Sequence, residues 1–459
     1  MPPRTRSQTN KKQAFINTVK TSIAKRSNLN KVDDGSTMLF RASNEGDLEI
    51  VRLLVEAGAD KDKAGEYGET PLFRASQKGH FEIVKLLIEA GADKNEEDED
   101  GRTPLYVASR EGHLKVVRLL VEAGADMDEG GWRVGTPLWI ASDKGDLKIV
   151  KLLIEAGADL DIPGYTGTPL YVACEAGLLR VVRLLVEAGA DIDKADTGWR
   201  TPLWISSHRG RHKIVKLLIE KGAKLDEIDN EGRTPLCIAC KNGHLEIVRL
   251  LIEAGADKDK TKFRGWTPLN NASFGGHLEI VRLLIEAGAN LDKANIHGRT
   301  PLFVACEKGH LEIVRLLVEA GANIAKKDKG GMTPLDIAIH TERTDIIDYL
   351  LSTIVDKNLN IENPRIEAFK KGREFLKKTE EEQKETLVEF LNNVCFNETD
   401  ILTLNDWNEF DLKDLLKVIL YEPKSKEIFY IRDLDIKKES NKHHCYDGES
   451  LVNNIKIKE

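Results

Sequence analysis

Hydrophobic and polar positions along the chain recur as one clause. In GRTPLFVACEKGHLEIVRLLVEAGAN, which begins at Gly298, a short apolar stretch is followed by a polar turn and then by Leu311, Val314, Leu317 and Val318. Spacings of three and four place those four residues on one face of an α-helix. Thr300 suits an N-cap, because its hydroxyl can accept from an otherwise unpaired backbone N–H. Pro301 suits the first helical position, where its missing N–H costs nothing. The pattern therefore predicts a short helix from Thr300, a turn at Lys308-Gly309-His310, and a second, amphipathic helix. Gly321 is expected to end that helix in a left-handed conformation, which a residue with a Cβ adopts only at a cost of about 1–2 kcal/mol.

The clause recurs with a fixed period. Its threonine falls at Thr37, Thr70, Thr103, Thr136, Thr168, Thr201, Thr234, Thr267, Thr300 and Thr333, with every step 33 residues except one of 32. One helix pair of this size cannot bury its apolar face alone, so each copy requires neighbours, and stacking predicts a solenoid with an extended surface. The markers T-P-L-x-x-A, G-H and V-x-L-L-x-x-G-A-D resemble those of ankyrin-repeat proteins over residues 34–353. That resemblance implies a non-enzymatic module that holds other proteins on its hairpin tips and concave helices, without catalytic residues or cofactors. One position departs from the pattern. Where the family carries His after T-P-L, this chain has Phe40, Phe73, Tyr106, Trp139, Tyr171, Trp204, Cys237, Asn270, Phe303 and Asp336. Ring packing is expected there in place of the inter-repeat hydrogen bond.

Outside the array, the pattern gives a basic, disordered tail (1–13) and an amphipathic capping helix (14–33) with Phe15, Ile16, Val19 and Ile23 on one face. It also gives a helical linker (354–394) and a small α+β domain (395–459). The fold class expected is thus an all-α repeat solenoid with short β-hairpin fingers, followed by that α+β appendage. The tenth copy ends in YLLSTIVDKN instead of E-A-G-A-D, so the repeat is expected to stop there.

Charge changes the picture at the first end. Residues 1–32 hold eight basic and no acidic residues, and residues 354–459 hold 18 basic against 23 acidic. Against the chain's total of −8, this leaves the array at −11. Nucleic acid is therefore not its expected ligand. The basic tail reads first as solvated, with nuclear import or organelle targeting as functional alternatives. Six cysteines, no signal-peptide pattern and no long apolar run point to an intracellular protein, cytoplasmic first, with no membrane span. Cys174, Cys240 and Cys306 share one small, core-facing register. Cys237 and Cys240 form C-x-x-C on a first helix, without a second pair to complete a zinc site, and read as core; no metal is expected.

Because the scaffold positions barely vary from copy to copy, the informative residues are those that do. Tyr67, Trp132, Tyr165 and Phe263 fall at finger tips, and Trp199 and Trp266 just before two T-P-L markers. These rings either anchor a partner or pack between fingers. His208, Arg209, Arg211 and His212 make a basic island in the copy after Thr201, read either as a solvated face or as a dock for an acidic segment. Phe274 is an apolar ring where other copies are mostly polar. His80, His113, His244, His277 and His310 share one register and are expected to tie backbone groups between copies.

In the last 65 residues, Cys395 and then His444, Tyr446, Asp447, Leu451 and Ile455 resemble the ends of a U-box. That resemblance implies contact with a ubiquitin-conjugating enzyme and gives the alternative function, a substrate adaptor or ubiquitin ligase. A zinc-bound ring is less well supported, since Cys395, His443, His444 and Cys445 offer four ligands where two zinc ions need about eight.

Overall fold

A computed structural model describes residues 6–24, 28–32, 35–130, 134–359 and 366. The chain divides into two units at Ala322. The first unit holds a helix at Arg6–Ala24 and nine helix pairs, from Met38–Glu45 with Leu48–Glu56 to Pro301–Lys308 with Leu311–Glu319. The leading helix starts at Arg6, within the stretch expected to be a disordered tail. No Pro or Gly interrupts residues 6–24, and Gln and Lys are good helix formers.

Every threonine of the marker caps a first helix as its spacing predicts. In all ten copies the hydroxyl accepts from the backbone N–H three residues on, at 3.0–3.2 Å. Within the first unit, first helices pack on first helices and second helices on second helices of adjoining copies, and each pair packs on itself. The buried side chains follow the same register: Leu236, Ile238, Ala239 and Cys240 from one first helix, Ile247, Val248 and Leu251 from its partner. Burial pushes the Cys237 thiol up to about 11 and the Cys174 thiol up to about 12, as befits core positions.

Two ladders of polar contacts join the copies. The Nε2–H groups of His80, His113, His244, His277 and His310 donate to carbonyls 36 residues earlier, at 3.0–3.3 Å. The register thus ties neighbouring copies together, as its recurrence implies. On the other side of each pair, a carboxylate or amide oxygen accepts the N–H that opens the equivalent segment of the next copy. Asn30, Asp62, Asn95, Asp128, Asp161, Asp193, Asp226 and Asp259 do so in turn, at 2.8–3.2 Å.

The expected β-hairpin fingers form no paired strands among the described residues. Among the described residues the only β-type pairing outside named elements is the isolated bridge Gly164–Gly167. Side chains reinforce the backbone bonds, such as Asp98 N–H to the Arg102 carbonyl, that close the fingers. Asp98 Oδ1 accepts from the Asp100 and Arg102 N–H groups, while its Oδ2 takes Arg102 Nε at 2.7 Å and Nη2 at 2.6 Å. Asp196 with Arg200 and Asp229 with Arg233 repeat this clasp. Asn295 accepts the corresponding two N–H groups.

The second unit contains the tenth pair, Pro334–His340 and Thr344–Asp356. Its long helix ends at Asn358 with φ +50°, where the earlier copies use glycine. Asn is the side chain that best tolerates this conformation, and Leu359 N–H closes the cap on the Ile354 carbonyl. Among the described residues no helix is long and apolar enough to cross a membrane.

Candidate functional site

The residue after T-P-L lies at the base of each finger, and here the expectation of ring packing alone is corrected. Trp139 Nε1–H donates to the Gly167 carbonyl at 2.9 Å, and Trp204 Nε1–H to the Arg233 carbonyl at 3.2 Å. Cys237 Sγ reaches the Trp266 carbonyl at 3.6 Å and Asn270 Nδ2 the Arg299 carbonyl at 3.4 Å. In each case the acceptor directly precedes the next marker threonine, so four side chains of three kinds restore one inter-copy bond. Phe40, Phe73 and Phe303 have no donor and instead lie under Arg74, Arg102 and Arg299, 5.3–6.0 Å from ring centroid to Cζ. Trp204 does both, with Arg200 and Arg233 at 5.8 and 5.5 Å.

At the tips the apolar surface faces outward. Tyr67, Tyr165, Trp199 and Phe263 are 59, 72, 55 and 54 % exposed. Three of them hold left-handed backbone: φ is +71° at Tyr67, +60° at Trp199 and +34° at Phe263. Trp199 occupies the place that is Gly101, Gly232, Gly265 and Gly298 in other fingers, all with φ between +66° and +79°. An aromatic in that conformation costs about 1–2 kcal/mol, and its exposed ring regains little of this by burial. Phe263 is better supported, lying against Gly232 of the adjoining finger with Lys262 Nζ 5.2 Å from its ring centroid. Trp132 lies outside the described residues.

Phe274 is 39 % exposed and forms a second apolar spot. Trp266 meets it edge-on at 5.5 Å, and Lys308 Nζ stands 4.6 Å from its ring centroid. Asn270 and Asn271 explain the rest of that unusual copy: Asn270 completes a capping box with Thr267, and Asn271 Nδ2 donates to the Thr267 carbonyl.

The basic island is largely engaged within the fold. Arg209 Nη2 pairs with Glu175 at 2.6 Å. Arg211 takes the place of the repeat-locked histidine and donates to the Glu175 carbonyl at 3.4 Å, with its guanidinium against Gly177. His208 stacks on Trp204 at 5.3 Å, and the Asn242 amide donates to His208 Nδ1 at 2.9 Å and to its carbonyl at 3.0 Å. Desolvation, then the positive charge of the neighbouring arginines Arg209, Arg233 and Arg200, pushes the His208 pKa down. An imidazole accepting at Nδ1 is neutral, which agrees. His212, at the start of a second helix, has an exposed side chain, and its backbone N–H is tied to the Gly210 carbonyl.

Sequence reasoning placed Trp199 between packing and display; the structure exposes it. What it missed altogether were the aspartate clasps, although D-x-x-x-R before T-P-L was visible at Asp98, Asp196 and Asp229. Cys395, His444, Tyr446 and Asp447 lie outside the described residues.

These features define a class: a repeat protein whose invariant residues join copies and whose variable residues crown the fingers. A family model described as ankyrin repeats (3 copies) matches residues 10–98, 39–130, 130–196, 191–262, 258–328 and 294–363, and the chain belongs to the ankyrin-repeat family. Ankyrin repeats are protein–protein interaction modules. Comparison with the curated proteins gave no match.

Proposed function

We propose that the protein is a non-enzymatic scaffold that holds partner proteins on its finger tips, with Tyr67, Tyr165, Trp199 and Phe263 as anchors. One observation carries this reading: four exposed rings stand at the finger tips, and one of them, Trp199, holds a strained, left-handed position that is glycine in other fingers. Backbone strain retained without a packing return points to function, and rigid, exposed aromatics dominate interface energetics. Phe274, with Trp266 beside it, offers a further apolar contact, and His212 is the part of the basic island left for a partner. Trp132, by its place in the sequence, belongs to the same row of tips.

The test is a comparative affinity capture from cell lysate with the parent chain and a variant carrying Tyr67→Ala, Tyr165→Ala, Trp199→Gly and Phe263→Ala. Specifically retained proteins should be lost from the variant while its circular dichroism is unchanged. Retention of every partner at undiminished affinity would sink the tip reading.

A further inference from the structure

We propose that Tyr165 and Trp199, on consecutive fingers, hold an extended proline-rich segment of a partner protein in polyproline II conformation, flanked by basic residues. The inference rests on the scaffold reading above and names what the scaffold holds.

The fold does not account for the Trp199 ring. Its finger is closed by Asp196, which accepts the Gly198 and Arg200 N–H groups and clamps the Arg200 guanidinium. The fingers closed by Asp98 and Asp229 make the same contacts with Gly101 and Gly232 in that place. The clasp thus fixes the backbone on which the ring stands, and the ring is a preorganised, solvent-facing plate. Tyr165 supplies a second plate, 72 % exposed, one copy earlier.

Spacing selects the occupant. Stacked helix layers lie roughly 8–10 Å apart. One face of a polyproline II helix repeats every three residues at about 3.1 Å each, or roughly 9 Å. A β-strand shows the same face every ~7 Å, and an α-helix returns only after ~5 or ~11 Å, so both fall out of step with consecutive fingers. Backbone chemistry agrees. The Gly198 carbonyl already accepts from Asn230 N–H, and Gly164 and Gly167 bond to each other. An incoming strand would therefore find these finger edges occupied, whereas polyproline II needs no edge and binds aromatic plates through proline faces.

Charge sets the flank. Asp159 is exposed at the foot of the Tyr165 finger, and Asp161 lies half-buried beside it. In the preceding copy Glu129 has its pKa raised, by desolvation first and then by Glu97, Asp126 and Asp93. Crowded carboxylates of this kind favour arginine or lysine at the end of the segment over the Tyr165 side.

The experiment uses the full chain and a fluorescent synthetic peptide in which Pro-Pro-Leu is repeated after two arginines, read by anisotropy. A peptide of the same length with the prolines replaced by glycine and serine is the extended-chain control; one with alanine and leucine is the helical control. The proline peptide should bind, and Trp199→Gly and Tyr165→Ala should each weaken it by roughly tenfold or more, while Trp199→Gly melts no lower than the parent. Undiminished binding by Trp199→Gly would overturn the inference, as would equal or tighter binding of the helical peptide. If the proline peptide fails to bind but the four-tip variant still loses its captured proteins, the occupant is wrong and the scaffold reading stands. If neither effect is seen, both fall.

Discussion

Position 199 separates what the fold needs from what it carries. Restoring glycine there relieves left-handed strain, so Trp199→Gly should raise local stability by about 1 kcal/mol, read as a higher denaturant midpoint of that region or slower amide exchange in residues 196–204. Trp204 answers differently, because its indole is 3 % exposed and bonded to the Arg233 carbonyl. Trp204→Phe keeps an aromatic ring but loses this bond, and because the Arg233 carbonyl still accepts from Asp229 N–H, the change should cost about 0.5–1.5 kcal/mol. His208 adds a pH dependence whose sign follows from its lowered pKa. Above the ordinary histidine value of about 6.5 both folded and unfolded forms are neutral, and the residue contributes no slope. As the pH falls below that value the unfolded chain takes up the proton first, so stability falls. His208→Gln should remove that share of the acid sensitivity, measurable as a smaller drop in melting temperature between pH 7.5 and 5.5 than in the parent. An unchanged or steeper drop would contradict the geometry.

At the scale of the element, two kinds of glycine behave unlike each other. Gly255 ends a second helix at φ +92° with nothing within 4 Å of a built Cβ, so Gly255→Ala meets backbone strain alone, about 1–2 kcal/mol. Gly243, at φ +77° in the turn between helices, would set a Cβ 2.6 Å from the His277 ring. Gly243→Ala must therefore displace the ring that reaches back to the Lys241 carbonyl, and should cost clearly more than Gly255→Ala in paired denaturant titrations. The helices, their threonine caps and their glycine ends were legible in the sequence because each depends on residues within four positions. The finger closure was not read, since it turns on a carboxylate folding back over its own turn, a contact that resembles ordinary surface charge when written as D-x-x-x-R. Likewise the indole donors at Trp139 and Trp204 were hidden: an aromatic letter announces packing, and only geometry shows which carbonyl its N–H meets. The basic island looked free for the same reason, because Glu175, which holds Arg209 and Arg211, lies a full copy away.

For the whole molecule, stability should be a sum of copies and of the joints between them. Gly255→Val ought to lower amide-exchange protection in its own copy and the two beside it while leaving the copy at Thr70 unaffected. Equal loss throughout would show a cooperative block instead. The array's charge of −11, with aspartates repeated along one ladder, also makes stability rise with salt as repulsion is screened, from about 10 mM towards 0.3 M. The ladder of histidines has a further consequence. Each reaches a carbonyl 36 residues behind it, in a lattice whose period is 33, so the bond always crosses one seam and never two. Every seam in that ladder is therefore bridged by the same bond in the same register. Excising or duplicating one complete period brings together surfaces already shaped for each other, and the chain can change its length, and with it the number of tips on offer, as a string of beads does: by whole beads, without recutting any.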